Sequence, residues 1–291
     1  MAGTGAIKRR LETAETLQGV VTTMKTLSAA RITQYRRAVA ALDASTRTLE
    51  LAVQAVLKVH PELLSAVAEP RNSAVTAIVL GSDRGLCGPF NERIARHVGG
   101  LLADKASREQ LSLLTVGRRL DSRLAAQGYT STASVRPPGK MDTVDGAVVE
   151  VLSHIDRWTE EGRAGRIYLA YNRPARGATY ESLALRLVPV HRRWLEGLRD
   201  RPWPTNRLPM PLGDGRALVQ GLVRQFVAHA LVQAFAASLS SENAARLASM
   251  DAAERNVDER LTQLRTSYRQ ARQNAVTAEL LDIQAAFAAT T

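Results

Sequence analysis

The sequence is poor in cysteine, in aromatic residues and in long apolar runs, and each shortage argues against a class of protein. Its single cysteine, Cys87, excludes an internal disulfide and is typical of a reducing compartment. Aromatic residues make up only 4% of the 291 residues although hydrophobic residues reach 45%. Alanine therefore carries much of the apolar content, which favours close helix pairing over a thick core. Because no run of eighteen apolar residues is present, we expect no segment that spans a membrane.

Acidic residues are also in short supply. The chain has 39 lysine and arginine residues against 28 aspartate and glutamate residues, a net charge of +11. This excess predicts an acidic partner, which could be nucleic acid, anionic lipid or an acidic protein surface. Between residues 7 and 37 there are seven basic and two acidic residues, so we expect the N-terminal region to meet that partner.

Glycine and proline are absent from the last seventy residues, 222–291, where alanine, leucine, arginine and glutamine predominate. These residue types predict one long helix, which would measure about 100 Å. From Val257 onward its apolar or small positions alternate at spacings of four and three, the pattern of a coiled-coil seam. These positions are Val257, Leu261, Leu264, Tyr268, Ala271, Ala275 and Ala278. A helix of that length cannot be buried within so small a domain, so it requires a partner.

A second long helix is predicted from about residue 5 to residue 60, and Pro61 should end it. The same alternation runs through Ile7, Leu11, Ala14, Gln18, Val21, Lys25, Ser28, Ile32, Tyr35, Val39 and Leu42. An antiparallel pair is the natural arrangement for two helices that flank one domain. The C-terminal helix is longer by roughly 15 residues, about 20 Å, and would project with Leu280, Leu281, Ile283 and Phe287 uncovered. Exposed apolar residues at the end of a helix predict a socket in another protein.

The residues between the two helices alternate between strand and helix patterns. Strands are predicted at 75–80, 111–116, 167–171 and near 183–190, and helices at 90–105, 117–127 and 143–158. This order predicts a small, largely parallel, Rossmann-like α/β domain that ends in a linker at 201–215. The predicted fold class is therefore α/β, with a long antiparallel coiled coil of the N- and C-terminal helices. The predicted domains are 1–62, 70–212 and 213–291.

No catalytic site stands out in the sequence. The turn at 81–88 follows a strand and precedes a helix, as phosphate-binding loops do, but it matches neither the dinucleotide nor the P-loop pattern. A tight turn with glycines at positive φ is the simpler interpretation. The five histidines lack metal-ligand spacing. We therefore expect no enzyme active site, no cofactor and no metal.

Three separated stretches form a more specific pattern. The first combines Ile7-Lys-Arg-Arg10 with Met24-Lys25 and Ala29-Ala30-Arg31. The second is Ser82-Asp-Arg-Gly-Leu-Cys-Gly88, followed by Phe90-Asn91. The third begins with Ser241-Glu242-Asn-Ala-Ala-Arg246 and continues to Tyr268-Arg-Gln-Ala-Arg-Gln273. In this order the stretches resemble the gamma subunit of rotary ATP synthases, which is the central shaft of the catalytic head.

The resemblance implies a central-stalk rotor subunit that is not itself catalytic. In that family an ion-driven membrane ring turns the coiled coil inside a hexamer of alternating alpha and beta subunits. The implied partners are the alpha and beta subunits, the epsilon subunit and the membrane c-ring, and the implied location is the cytoplasmic face of a bacterial inner membrane. The residues that would contact the alpha–beta head are Lys8, Arg9, Arg10, Met24, Lys25, Arg31, Asp83, Arg84, Cys87, Arg246, Gln273, Thr277, Glu279, Ile283 and Phe287.

The sequence also departs from the family pattern. Pro89 replaces a usual glycine, Gly19 is unexpected, and the pattern is faint over 118–233, the region that should face the ring and the epsilon subunit. These departures predict a divergent bacterial type and leave open an alternative ion-translocating ATPase. Two other hypotheses remain. The high net charge allows a basic coiled-coil nucleic-acid-binding protein, although its arginines are not interleaved with stacking aromatics, and the α/β pattern allows a nucleotide-dependent enzyme.

Overall fold

The computed structural model describes residues 2–66, 74–105, 111–163, 165–175 and 180–289. Six α-helices and five strands occur in these ranges, in the order α1 Ala2–Val59, β1 Val75–Leu80, α2 Phe90–Lys105, β2 Leu111–Val116, α3 Arg118–Ala125, β3 Ala133–Val135, α4 Val144–Glu160, β4 Arg166–Pro174, β5 Tyr180–Val188, α5 Arg192–Asp200 and α6 Gly215–Ala289. The chain divides into two compact units. We call Met1–Ala29 with Arg246–Thr291 the coil unit, and Ala30–Ala245 the α/β unit.

The α/β unit is built on a five-stranded sheet with the order β3-β2-β1-β4-β5. Strand β1 pairs in parallel with both β2 and β4, β2 pairs in parallel with β3, and β5 is antiparallel to β4. The prediction of a largely parallel sheet is thus confirmed. All six residues of β1 are buried, as expected for a parallel strand covered by helices on both faces.

The two faces of the sheet are covered by different helices. On one face Ile78 and Leu80 of β1 pack in a core that includes residues of α4. That core also takes in Val227, Leu231 and Phe235 of α6. The alternate residues of β1, among them Val79, pack on the other face with residues of α2 and α3. The first part of α6 is therefore a core helix of the α/β unit, whereas the sequence had suggested that the whole helix leaves the domain.

Helix α6 is also long and apolar enough, by length and composition, to cross a membrane. Much of its apolar surface in the α/β unit is buried against the sheet, which is the ordinary origin of such a pattern in a core helix.

The helix boundaries follow the expected signals at most ends. Helix α1 stops at Val59, ahead of Pro61. Helix α6 begins at Gly215, seven residues before the glycine-free segment, and Asp214 caps it by accepting hydrogen bonds from the backbone N–H groups of Arg216 (3.2 Å) and Ala217 (3.2 Å). The segment between α5 and α6 is irregular, as its proline and glycine content predicted. Helix α5 and strand β3 were not predicted.

The coil unit is an antiparallel pair formed by α1 and α6. Gln18 Nε2 donates to Asp258 Oδ1 (2.6 Å), while Lys25, one heptad further along α1, is 2.7 Å from Asp251. Each step forward along α1 is thus matched by a step backward along α6. The predicted seam is confirmed where Ala14 packs with Leu261 and Leu264, with Ile7, Leu11 and Val257 beside them.

The C-terminal end of α6 extends beyond the start of α1. The pairing register places residue 2 level with about residue 274, so about 15 residues to Ala289 continue past it, roughly 20 Å of helix. We call residues 276–289 the distal segment. Leu280, Leu281 and Ile283 in it are more than half exposed, as predicted, while the side chain of Phe287 lies outside the described residues. Ala278, expected in the seam, is exposed because α1 does not reach it.

Candidate partner-binding surfaces

The turn at 81–88 is held rigidly between β1 and α2. The backbone N–H of Ser82 donates to Asn91 Oδ1 (3.0 Å), and Asn91 Nδ2 donates to Ser82 Oγ (2.9 Å). The backbone N–H of Arg118 donates to Asp83 Oδ1 (2.8 Å). Behind the turn, Gly117 has φ 109°, and a Cβ there would lie 2.7 Å from the backbone carbon of Ser82. The glycine therefore allows close packing. Within the turn itself Gly88 has φ 55°, which agrees with the interpretation of a tight turn with glycine at positive φ.

The outer side of this turn presents Arg84 and Leu86 to solvent. Leu86 is 61% exposed and has φ 63°, a left-handed conformation that is costly for a leucine. A strained, exposed apolar residue at the tip of a rigid turn is typical of a contact site. Sequence reasoning named Asp83, Arg84 and Cys87 in this turn but not Leu86. The side chain of Cys87 is buried, with Sγ 3.6 Å from Ser82 Oγ. Cys87 can therefore support the turn but cannot present its thiol to a partner.

The basic residues of α1 that were predicted to contact a partner differ in whether carboxylates of α6 compensate their charge. Lys8, Arg9 and Arg10 are exposed, and Lys8 forms a long 3.9 Å pair with Glu12. Lys25 instead lies 2.7 Å from Asp251 and 2.8 Å from Glu254 of α6. Hydrogen bonds to these two carboxylates raise the pKa of Lys25 well above its usual range. The charge of Lys25 is thus compensated within the coil unit.

The remaining predicted contacts of the coil unit lie on α1 and α6. Met24 is half-buried, whereas Arg246 is buried. Gln273, Thr277 and Glu279 are exposed, and the Thr277 hydroxyl donates to the backbone carbonyl of Gln273 (2.9 Å). In the α/β unit, Arg31 is half-buried.

Helix α1 carries a second apolar row that the sequence analysis did not identify. Leu17, Val20 and Leu27 are 51%, 48% and 49% exposed, and Met24 lies between them in the same row. The spacings are three, four and three, so these side chains share one face of the helix. A search for two heptad rows rather than one would have found them. We call these four residues the apolar stripe.

An apolar groove opens on the α/β unit between α4 and the beginning of α6, with a volume of about 530 Å³. It is lined by Leu63, Leu152, Ile155, Asp156, Val188, Pro189, Val190, Arg216, Val219, Gln220, Val223, Arg224 and Val227. Arg224 binds Asp156 through two hydrogen bonds of 2.9 and 2.7 Å, which lower the pKa of the Asp156 carboxyl. Arg216, also in the lining, is exposed.

The described ranges show no arrangement suited to catalysis by a metal: no group of three or more histidine, cysteine, aspartate or glutamate side chains could hold an ion there. His229 Nε2 lies 2.9 Å from Thr46 Oγ1 and 3.1 Å from the backbone oxygen of Leu42, so it is used in helix packing. The surfaces that stand out are instead suited to protein contacts.

The fold and these surfaces define a class of protein in which the terminal helices form an antiparallel coiled coil and a largely parallel α/β domain is inserted between them. The chain belongs to the ATP synthase family, whose model, described as ATP synthase, matches residues 4–290.

Relatives of known name agree with this assignment. The chain is 25% identical to the ATP synthase gamma chain of Polynucleobacter asymbioticus, over 97% of this chain and 98% of that one. It is 27% identical to the gamma chain of Parafrankia sp., over 95% and 94%. A chain of the Euglena gracilis mitochondrial ATP synthase (OSCP/F1/c-ring, rotational state 3) shares the fold with a TM-score of 0.67 at 19% identity, over 99% of this chain and 95% of that one.

A chain of the central stalk and c-ring of the Tetrahymena thermophila mitochondrial ATP synthase shares the fold over 80% of this chain and 99% of that one, with a TM-score of 0.56 at 19% identity. The resemblance to the gamma subunit is therefore confirmed, and with it the function of a central-stalk rotor subunit of ATP synthase. These relatives give no support to a nucleic-acid-binding protein.

Proposed function

We propose that this chain couples rotation of a membrane ring to the conformational cycle of catalytic beta subunits, and that it carries no catalytic residue itself. The observation that carries the proposal is the distal segment of α6, which exposes Leu280, Leu281 and Ile283 beyond the start of α1. An apolar helix end of this kind requires a socket in another protein. A single asymmetric shaft would press the surrounding beta subunits into different states as it turns.

The coil unit and the turn at 81–88 are the surfaces that we assign to the alpha–beta head. On the coil unit the exposed cations Lys8, Arg9 and Arg10 suit an acidic surface, and the distal segment suits an apolar one. On the turn, Arg84 and Leu86 supply an exposed positive charge and an exposed apolar side chain. The other residues proposed to contact the head are Met24, Lys25, Arg31, Asp83, Cys87, Arg246, Gln273, Thr277, Glu279, Ile283 and Phe287, with Cys87 acting through the shape of the turn.

The α/β unit offers a surface for the remaining partners, the epsilon subunit and the membrane c-ring. The groove between α4 and α6 has a mainly apolar lining that includes the exposed cation Arg216. This suits an apolar segment flanked by a carboxylate, and we assign the groove to the epsilon subunit. We place the complex at the cytoplasmic face of a bacterial inner membrane, with this chain peripheral.

We assign three functional segments, 1–62, 70–212 and 213–291, to the N-terminal shaft helix, the α/β domain and the C-terminal shaft helix. The last boundary is supported by the helix cap at Asp214. The first part of the third segment also belongs to the core of the α/β unit. Because the same helix continues into the shaft, it would transmit torque.

Co-expression with cognate alpha and beta subunits tests the proposal. We expect a stable complex with one copy of this chain per three alpha–beta pairs, and ATP hydrolysis that drives ion pumping when the membrane ring is present. Replacing Leu280 and Ile283 together by aspartate should weaken the complex, whereas replacing the exposed Arg272 by glutamine serves as a control on the same helix. Failure of the wild-type chain to assemble would refute the proposal.

A further inference from the structure

We propose that Gln54 is a positioning residue that holds the C-terminal end of α1 to the segment between α5 and α6, so that both long helices turn with the α/β unit. The inference rests on the proposed function and specifies how the rotating unit grips α1. It concerns a buried contact within this chain, and no surface that meets another subunit is involved.

Helix α1 is attached to the α/β unit at few points. Residues 30–59 of α1 belong to that unit, and along this stretch buried side chains occur at two places. The first place is Ile32 and Tyr35, of which Tyr35 packs in the core shared by the sheet, α4 and α6. From residue 36 to residue 52 every residue is exposed or half-buried, and from 53 to 57 every residue is buried. The second place therefore decides whether the end of α1 follows the unit when it turns.

This second attachment is a core separate from those of the sheet, which we call the foot core. Its buried members are Val53, Val56, Leu57, Leu63, Leu64, Val190, Leu195, Leu198 and Val219. They come from the end of α1, the short 3₁₀ helix Pro61–Ala66, α5 and α6. Beside them Trp194 of α5 packs on Phe226 of α6, with ring centroids 4.9 Å apart. Helix α5 thus bridges the end of α1 to α6.

Gln54 follows Val53 of the foot core and adds a polar contact to it. The side chain is fully buried, and Nε2 donates to the backbone oxygen of Arg201 (2.7 Å), directly after α5. The other amide atom, Oε1, is buried without a hydrogen-bond partner in the described part of the chain. A buried polar atom left unpaired costs stability, so an apolar side chain would suit this position if packing were the only requirement. The contact that the glutamine supplies is its hydrogen bond to the segment after α5.

Two other contacts lie at the same end of α1. Arg201 Nη1 is 3.0 Å from Glu50 Oε2, one turn before Gln54. Gly215, at the start of α6, lies so close to His60 that a Cβ there would be 2.9 Å from the imidazole ring. The Glu50–Arg201 pair is partly exposed, and such pairs contribute little. The bond of Gln54 is shielded from water, so it is the polar contact on which the attachment depends.

The attachment matters because the two long helices are driven differently. Helix α6 runs without interruption from the core of the α/β unit into the coil unit, so rotation of the α/β unit turns α6 directly. Helix α1 follows only through Tyr35 and the foot core. When the foot core opens, the end of α1 can shift against the unit, and part of the torque is lost in deforming the shaft. Gln54 acts on coupling in this way without touching any substrate.

The test compares two single variants of the full chain, assembled with alpha, beta and epsilon subunits and the membrane ring in vesicles. Gln54→Met keeps the approximate length of the side chain and removes its hydrogen-bond donor. Gln233→Met is the matched control, because Gln233 Nε2 also joins α6 to α1, donating to Asp43 Oδ1 (3.0 Å), but from a half-buried position at the surface. In both variants the ATP hydrolysis rate per assembled complex and the largest ion gradient that the vesicles sustain are measured.

We expect Gln54→Met to hydrolyse ATP as wild type does but to sustain a smaller ion gradient, since the shaft yields only under load. The control should match wild type in both quantities. A purely structural role would lower the amount of assembled complex and leave the gradient per unit of hydrolysis unchanged. An undiminished gradient in Gln54→Met, or an equal loss in Gln233→Met, would overturn the inference. Absence of ion pumping by the wild-type complex would instead count against the proposed function.

Amide hydrogen exchange on the isolated chain gives a readout that does not depend on assembly. Removal of the donor leaves the buried carbonyl of Arg201 unpaired, which should speed exchange at the end of α1, residues 50–59, about ten- to a hundredfold. Exchange in β1 should be unchanged. If Gln54→Met does not fold, Leu198→Ala opens the foot core from the α5 side, and the same loss of gradient is expected from it. Unchanged exchange at the end of α1 in whichever variant folds would contradict the inference.

Discussion

Replacing Leu261 by alanine should loosen the coil unit while leaving the α/β unit intact. Leu261 is 2% exposed and packs with Ala14 and Leu264. A buried leucine replaced by alanine costs about 2–5 kcal/mol, with smaller values where neighbours can collapse into the space. Because this cluster is small and lies between only two helices, we expect about 2–3 kcal/mol. The cost arises from lost burial and from the cavity left beside Ala14.

Amide hydrogen exchange measures this loss directly. Opening that is easier by about 2–3 kcal/mol should speed exchange in the paired parts of the coil unit about 30- to 150-fold. Amides of β1, in the α/β unit, should exchange at an unchanged rate and so act as an internal reference.

A matched control lies further along the same helix. Leu281 is 59% exposed, so Leu281→Ala should change the stability of the isolated chain by less than about 0.5 kcal/mol. If the distal segment occupies a socket in the assembled complex, the relative effects of the two substitutions should reverse there. Leu281→Ala should then weaken assembly. Equal exchange rates in Leu261→Ala and Leu281→Ala would refute the packing of the helix pair described here.

Three further predictions concern the α/β unit. The carboxylate of Asp156 is stabilised by Arg224, which lowers its pKa, so its contribution is present above about pH 4 and is lost as pH falls through that lowered value. Because both side chains are partly exposed, Asp156→Asn should reduce the free energy of unfolding in urea by no more than about 1 kcal/mol at pH 7, and by nothing in strong acid. Gly117→Ala should cost about 1–3 kcal/mol, since it combines an unfavourable positive φ with a close approach to the backbone of Ser82; an unchanged thermal midpoint would contradict this. Leu86→Gly should relieve a left-handed leucine and raise stability by up to about 1 kcal/mol, while weakening binding to the alpha–beta head; unchanged head binding would show that Leu86 is not a contact.

Several elements could be predicted because their signals are local. The predicted bounds of β1, β2 and α2 coincide with the structure, since each is a short apolar run or amphipathic segment bounded by turn residues. Strand β3 was missed because its three residues form a strand only through pairing with β2, in which Leu114 lies opposite Ala133. Helix α5 has nine residues, too few to be stable without tertiary packing.

The candidate contact surfaces were less accessible to sequence reasoning. The basic bias of α1 predicted an acidic partner, but whether a given cation is available depends on its neighbours in space. The positive charge of Lys25 is compensated by Asp251 and Glu254, more than 220 positions away along the chain. The positive φ of Leu86 was not indicated by any residue pattern, because leucine rarely adopts that conformation.

The amino-acid sequence alone determined that there are two long helices with heptad rows and a strand–turn–helix domain between them. It also contains the three motifs that mark the family. Periodicity, helix-breaking residues and motif spacing are properties of neighbouring positions, so they survive without knowledge of the fold. Only the tertiary structure decided which of the two heptad rows of α1 is covered by α6, how far α6 extends beyond its partner and which charges remain available. Each of these depends on contacts between residues more than 200 positions apart, which local pattern does not specify.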